Sequence, residues 1–219
     1  MSGGAVKAVF FDLDGTLADT APDLGGALNR LLEEQGRARI DMAALRPYVS
    51  AGTRGMLGVG FGLAPQDPAY PDLAQRFLDI YATRLSDGTR LFDGMATLLD
   101  QLDERGIPWG VVTNKSSRFT LPLMDALGLR RRAAAIVSGD SAPKPKPAPD
   151  TLQLACATAG IAAGSALYVG DDVRDIQAAH AAGMPGIAAA WGYLGDGPGI
   201  HEWGADATID DPLELLSLL

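Results

Sequence analysis

The chain has 219 residues, of which 47% are hydrophobic and 21% charged, an ordinary globular composition with room for one large domain or a domain carrying a smaller insert. Its net charge of −9 and pI near 4.6 exclude a general surface for nucleic acid or anionic membrane, so an anionic ligand must be held by local positive groups in a pocket. The single cysteine, Cys156, excludes a disulfide framework; in the helical-looking LQLACATAG it reads as a small core residue rather than a nucleophile.

The opening MSGGAVKAVFF meets Asp12 too soon to be a secretory signal, and no apolar run elsewhere is long enough to cross a bilayer. A cytoplasmic protein is expected. The first predicted element is a strand, AVKAVFF, that ends on Asp12. From about Leu17 to Arg90 no strand is convincing: PDLGGALNRLLEEQG and DLAQRFLDIYATRL are amphipathic, and the Gly-rich SAGTRGMLGVGFGLAPQDPAYP reads as the link between them. This link follows no strand and lacks the Lys-Ser/Thr ending of a P-loop, so it is not read as a nucleotide loop. Beyond it, the strand-like WGVVT, AAIVSG, ALYVG and GIAAAW alternate with the helix-like ATLLDQLDERG, RFTLPLMDALG, PDTLQLACATAG and VRDIQAAHAAG, several of which close with Gly. The alternation predicts an α/β fold with a Rossmann-like parallel sheet and helices on both faces, formed by residues 1–16 and 91–219, with residues 17–90 as an all-helical insert after the first strand. In such sheets the ligand crevice lies outside the carboxyl ends of the strands, where Asp12, Asn114, Asp140 and Asp171 fall.

In FFDLDGTLADT, Asp12 and Asp14 share side-chain parity if the strand stays extended, so both can face one site. Two unpaired carboxylates there would disfavour each other's ionisation; a divalent cation between them makes the arrangement sensible. Thr113 and Asn114 end a second strand, Lys146 lies in the loop KPKPAPD, and Asp171 and Asp172 end a fourth. A hydroxyl, an ammonium and four carboxylates brought together by parallel strands suit Mg²⁺-assisted phosphoryl transfer, in which the metal and Lys146 offset the phosphate charge.

These residues fall into four ordered motifs: DLDGT at Asp12 to Thr16, VVTN with Thr113, KPAPD with Lys146, and VGDDVRD with Asp171 and Asp175. Across nearly its full length the chain resembles haloacid dehalogenase superfamily phosphatases, most of all the phosphoglycolate-phosphatase-like branch. The resemblance implies that Asp12 is the nucleophile forming an aspartyl-phosphate, and that Asp14 protonates the leaving oxygen and then activates water. It implies Mg²⁺ held by Asp12, the Asp14 carbonyl and Asp171, with Asp172 or Asp175 either as a ligand or just behind one, and phosphate bound by Thr113, Asn114 and Lys146. Lys146 is preferred to Lys144 because KPxPD matches the family spacing. The helical insert resembles a mobile cap, with Gly52, Thr53 and Arg54 of SAGTRG as readers of the substrate and Arg54 either as the partner of a carboxylate or sugar oxygen or as a solvated surface residue beside glycines that only turn the chain. The implied substrate is a small phosphate ester, 2-phosphoglycolate first. LRPYVSAGTRGML, VGDDVRDIQAA and EWGADATIDDPLELL also resemble N-acetylmuramic acid 6-phosphate phosphatases. A sugar phosphomutase would use the same four motifs, and a phospho-receiver domain, from a different class, combines similar groups but explains neither the DLDGT turn nor the insert.

Other conspicuous residues receive structural readings. His180 sits near a helix end, His201 in a surface loop, and Trp191 and Tyr193 in packing after the fifth strand. Asp19 and Thr20 are expected to shape the entry into the insert or to cap its first helix ahead of Pro22.

Overall fold

Strand β1 (Ala8–Phe11) is apolar at every position because both of its faces are covered: Val9 and Phe11 enter one core cluster, Ala8 and Phe10 another. In the computed structural model, which describes residues 5–195 and 197–219, β1 lies at the centre of a sheet in which every pairing is parallel. Its neighbours are β4 (Trp109–Val112) and β6 (Ala166–Gly170), with β5 (Ala135–Val137), β7 (Gly186–Ala189) and β8 (Ala207–Ile209) outside them in the order β5-β4-β1-β6-β7-β8. The connecting helices divide between the two faces. Helices α5 (Met95–Glu104) and α6 (Ser117–Ala126) bury Leu98, Leu102 and Leu123 on the Val9 side; α7 (Asp150–Ala159) and α8 (Val173–Ala181) bury Leu152, Cys156 and Ala178 on the Phe10 side. Cys156 is thus a core residue, as its sequence setting indicates.

The switch in strand order falls between β4, β1 and β6, and all their carboxyl ends open on the same edge. That edge is covered by a helical layer: α1 (Ala21–Glu34), α2 (Met42–Leu45), a 3₁₀ segment Arg46–Ala51, α3 (Gly52–Phe61) and α4 (Tyr70–Ala82). Helix α1 carries Leu24, Leu28, Leu31 and Leu32 on its buried stripe, where they meet Leu45, Met56, Leu57, Phe77 and Tyr81. Each such side chain contributes about 1.5–3 kcal/mol relative to exposure, so this layer has a core of its own. Phe119 and Tyr193, from the sheet-bearing part of the chain, complete it.

Two expectations are corrected here. The stretch read as strandless contains β2 (Ala18–Asp19), which pairs antiparallel with β3 (Arg90–Leu91) and ties the two ends of the helical layer into a ribbon. Two-residue strands are too short to show an alternation. Likewise SAGTRGMLGVGF is no link: from Gly52 it is helix α3, whose Met56 and Leu57 are fully buried, so tertiary packing overrides its glycine content.

Candidate active site at the carboxyl edge of the sheet

A cavity of about 330 Å³ lies between the strand ends and the helical layer. Asp12 and Asp14 follow β1, Thr113 to Lys115 follow β4, and Lys146 and Asp175 close the floor. The opposite wall is largely apolar, with Leu24, Val49, Phe77, Leu78, Tyr81 and Phe119.

Three carboxylates meet at and beneath the floor, Asp12 and Asp175 in the lining and Asp171 buried behind it: one oxygen each lies within 4.8 Å of the others. Oδ1 of Asp12 accepts from the Leu13 N–H at 2.7 Å and pairs with the Lys146 ammonium at 3.0 Å. Asp171 is fully buried and accepts from the Thr16 hydroxyl (2.9 Å), the Tyr193 N–H (2.9 Å) and the Ser50 hydroxyl (3.0 Å). Asp175 accepts from Lys146 Nζ (2.7 Å) and the Asp172 N–H (3.1 Å). Burial, then the charges of Asp12 and Asp175, push the Asp171 carboxyl far above the usual carboxylate range. Burial pushes Asp175 up to about 7, against the pull of Lys146. Lys146 itself is raised: burial opposes its charge, but Asp12 and Asp175 outweigh the burial.

This donor set fits a hard divalent cation, which takes carboxylate oxygens and offsets their mutual repulsion. The room around Asp171 points the same way. Gly15, at φ +90°, and Gly192 flank its carboxylate, and a Cβ on either would run into the Asp171 side chain.

The doubled acid of VGDDVRD separates into two roles. Asp172 is the N-cap of α8, accepting from the Arg174 N–H at 2.9 Å, and its carboxylate pairs with the Arg174 guanidinium at 2.7 and 2.8 Å. Burial raises its pKa, but Arg174 overcomes that and holds it below the usual range. Asp172 lies outside the carboxylate trio; Asp175 is inside.

The Asp14 side chain is also outside the trio. It faces the helical layer, accepting from Lys115 Nζ at 2.7 and 3.0 Å and from the Thr20 hydroxyl at 2.6 Å. Lys115 was not singled out from the sequence. It is 7% exposed and sits 4.9 Å from the centroid of the Tyr81 ring. Burial disfavours its charge, but Asp14 and Tyr81 more than compensate and the ammonium is held strongly protonated. The available signal was its position, directly after Thr113 and Asn114 at a central strand end.

Thr113 accepts the Lys115 N–H at 3.2 Å and keeps its own hydroxyl proton to donate. The Asn114 amide is occupied: it donates to the Lys146 carbonyl and accepts from the Lys146 N–H, both at 2.9 Å, so it fixes the loop that delivers Lys146. Lys144 is exposed, whereas the Lys146 side chain is 2% exposed. Gly52 and Thr53 line the cavity; Arg54 is exposed and lies outside the lining, because the turn of α3 carries it away. From the other face of the same loop, the Ser50 carbonyl accepts from Arg174 at 2.9 Å.

Thr20, the N-cap of α1, makes no side-chain cap bond; its hydroxyl goes to Asp14. The Tyr193 hydroxyl takes the capping task, accepting from the N–H groups of Thr20 (2.7 Å) and Ala21 (2.9 Å) and donating to Asp19 (3.0 Å). Trp191 donates to the Thr16 carbonyl at 3.0 Å, and His180 faces Asp206 at 3.0 Å, well away from the cavity lining.

Comparison with known proteins agrees with this geometry. The model of the family described as haloacid dehalogenase-like hydrolase matches residues 9–189. A phosphoglycolate phosphatase of Xanthomonas campestris pv. campestris is 44% identical over 211 residues, covering 95% of this chain and 94% of that one. An N-acetylmuramic acid 6-phosphate phosphatase of Pseudomonas putida is 39% identical over 214 residues, covering 98% and 96%. Among solved structures, that of a predicted phosphoglycolate phosphatase from Haemophilus somnus superposes with a TM-score of 0.84 at 26% identity and covers 97% of both chains. With its strand-end acids, its buried lysine and its helical layer in this order, the chain belongs to the haloacid dehalogenase-like hydrolase family.

Proposed function

We propose that the protein is a phosphatase that hydrolyses a small phosphate ester through a covalent phosphoryl group on Asp12. The observation that carries this reading is the Asp12 carboxylate at the end of β1, with Lys146 at 3.0 Å and Asp175 beside it in the cavity lining and the fully buried Asp171 carboxylate grouped with them beneath it. Both contacts to Asp12 fall on Oδ1; Oδ2 has no hydrogen-bond partner among the described residues and is the oxygen assigned to attack.

In this mechanism Oδ2 of Asp12 forms a bond to phosphorus while the bond from phosphorus to the alcohol oxygen breaks, and Asp14 acts as the general acid that passes a proton to that oxygen. Asp14 then takes a proton from water, whose oxygen attacks the phosphoryl group and releases Asp12 and inorganic phosphate. Lys146 and the Thr113 hydroxyl hold the phosphoryl oxygens, and Asn114 keeps Lys146 in place. Asp12, Asp171 and Asp175, with the Asp14 carbonyl, are the groups assigned to the metal, which we take to be Mg²⁺; bound there it supplies Lewis-acid stabilisation of the phosphate charge. Residues 17–90 act as the cap that excludes water and selects the ester, and residues 1–16 and 91–219 as the catalytic core. Among the described residues no helix is long and apolar enough to cross a membrane, which accords with a cytoplasmic enzyme acting on small metabolites.

The first substrate assigned is 2-phosphoglycolate, as in the Xanthomonas relative. A second reading, N-acetylmuramic acid 6-phosphate, is favoured by the cavity of about 330 Å³ with its apolar wall, which is roomier than a two-carbon acid requires, and by the Pseudomonas relative. Phosphate release from both esters, with and without Mg²⁺ and with Asp12→Asn as the blank, tests the proposal. A preference of about 100-fold in kcat/KM, roughly 2.7 kcal/mol, assigns the substrate; release no faster than the blank from either ester removes the phosphatase reading.

A further inference from the structure

We propose that Lys115 and Tyr81 form a subsite for a carboxylate carried one carbon beyond the ester oxygen, and that this subsite selects the substrate; the proposal rests on the phosphatase reading above. Three cationic side chains line the cavity among the described residues; each already holds a carboxylate, and Lys115 has the fewest partners. Lys146 Nζ meets Asp12, Asp175, the Tyr168 hydroxyl and the Val112 carbonyl, and is the cation assigned to the phosphate. Arg174 is divided between the Asp172 carboxylate and the Ser50 carbonyl. Lys115 has three N–H groups and contacts a single carboxylate, that of Asp14.

Beside it stands a hydroxyl with no assigned task. Tyr81 comes from α4, lines the cavity, and is 1% exposed, yet its hydroxyl has no hydrogen-bond partner among the described residues. A buried polar group left in this way is costly, by about 1–3 kcal/mol, and calls for a partner. The Lys115 ammonium lies over its ring, 4.9 Å from the centroid, so a cation and a phenol stand side by side on one side of the cavity, both able to donate to a carboxylate that enters there. The rest of that wall is apolar, with Leu24, Val49, Phe77 and Phe119.

Position then sets the length of the ligand. Asp14 has to reach the ester oxygen, and Lys115 lies 2.7 Å from Asp14, so a group one carbon beyond that oxygen arrives at the same ammonium. In 2-phosphoglycolate that group is the carboxylate. In N-acetylmuramic acid 6-phosphate the next carbon belongs to the sugar ring, and the carboxylate sits on the far side of it. The subsite therefore favours the shorter acid, with the energy of a desolvated ion pair added to that of the phosphate contacts.

The test compares 2-phosphoglycolate with hydroxyethyl phosphate, which has the same length and an alcohol in place of the carboxylate, under Mg²⁺ for the wild type, Lys115→Met and Tyr81→Phe. Expected is a wild-type kcat/KM ratio of about 100 in favour of 2-phosphoglycolate, falling by about tenfold or more in Lys115→Met and by about threefold or more in Tyr81→Phe. Lys115→Met also loosens Asp14, which slows both esters alike and leaves the ratio untouched, so the ratio isolates the subsite. Should Lys115→Met not fold, Tyr81→Phe decides alone. A wild type that hydrolyses both esters equally, or variants whose ratio stays within these limits, overturns the subsite and leaves the phosphatase standing. A wild type that hydrolyses neither overturns both.

Discussion

The floor and the wall of the cavity are built on different principles. At and beneath the floor, groups from a strand end, a loop and the first turn of α8 are each held by two or more bonds: Asp171 by Thr16, Tyr193 and Ser50, Asp175 by Lys146 and the Asp172 N–H, and Lys146 by four acceptors. Sheet register sets these positions, and strained electrostatics is their cost. The wall presents mainly apolar side chains; its polar links to the sheet-bearing part include Ser50 to Asp171 and Arg174, Thr20 to Asp14, and the Thr20 and Ala21 N–H groups to Tyr193, while Lys115 lies over the Tyr81 ring. Its covalent connection runs through the two-residue ribbon of β2 and β3. In the proposed function chemistry is assigned to the floor and choice of substrate to the wall, and the two are coupled where Ser50 meets Asp171 and Thr20 meets Asp14.

The sharpest break in this division is Asp12→Asn. It keeps the shape and the Leu13 contact, so melting and circular dichroism should stay near wild type, while turnover should fall by about 10⁴-fold or more. Activity retained within tenfold would remove Asp12 from the chemistry. Next in size is Asp171→Asn. By calorimetry, Mg²⁺ affinity should weaken about 10- to 100-fold, yet the metal-free variant should melt no lower than metal-free wild type, since burial and the neighbouring acids already disfavour the Asp171 charge. A metal-free variant several degrees less stable would mean that the trio is not electrostatically strained.

At the junction of the two regions, Tyr193→Phe should cost about 1–3 kcal/mol in a denaturant titration, because the Thr20 and Ala21 N–H groups at the start of α1 lose their shared acceptor. An unchanged midpoint would show that this junction contributes nothing. The smallest effect belongs to the surface. Asp140 accepts the Ser117 N–H and hydroxyl at 2.9 and 2.8 Å at the start of α6, and the Ser117 N–H bond holds its carboxyl below the usual range. A lowered folded pKa stabilises above the unfolded value and is lost as pH falls through the folded one. Asp140→Asn should therefore cost about 0.5 kcal/mol at pH 7, with the difference from wild type shrinking below about pH 4. A difference that is constant with pH would refute the electrostatic cause.

Legibility in the sequence followed the same division. Strand β1, its terminal Asp12, and the placing of Thr113 and Asp171 at one edge were readable, because an apolar run that stops at a polar residue directly reports a buried parallel strand and its exit, whereas Lys146 and Asp175 came from the motifs of the resemblance. What was not readable depends on contacts distant in the chain. Lys115 gains its importance from Asp14 and Tyr81, and no local spacing connects them. Helix α3 was hidden by its glycines and exists because Met56 and Leu57 pack on the helical layer; that same helical turn carries Arg54 outward, away from the cavity it was expected to serve. Between Asp172 and Asp175 the sequence offered no distinction; in the structure the Arg174 guanidinium takes Asp172 and Asp175 joins the carboxylate trio.

The central claim, a phosphoryl group passing through Asp12, is tested most directly by acid-quenched mass spectrometry of Asp14→Asn mixed with p-nitrophenyl phosphate and Mg²⁺. This ester needs little help to leave, while loss of Asp14 slows the attack of water, so the covalent species accumulates. The account predicts a phosphoryl adduct on the peptide containing Asp12, absent when Asp12 is also changed to Asn. Phosphate release with no adduct on that peptide at any time point would mean that water attacks the ester directly, and would contradict it.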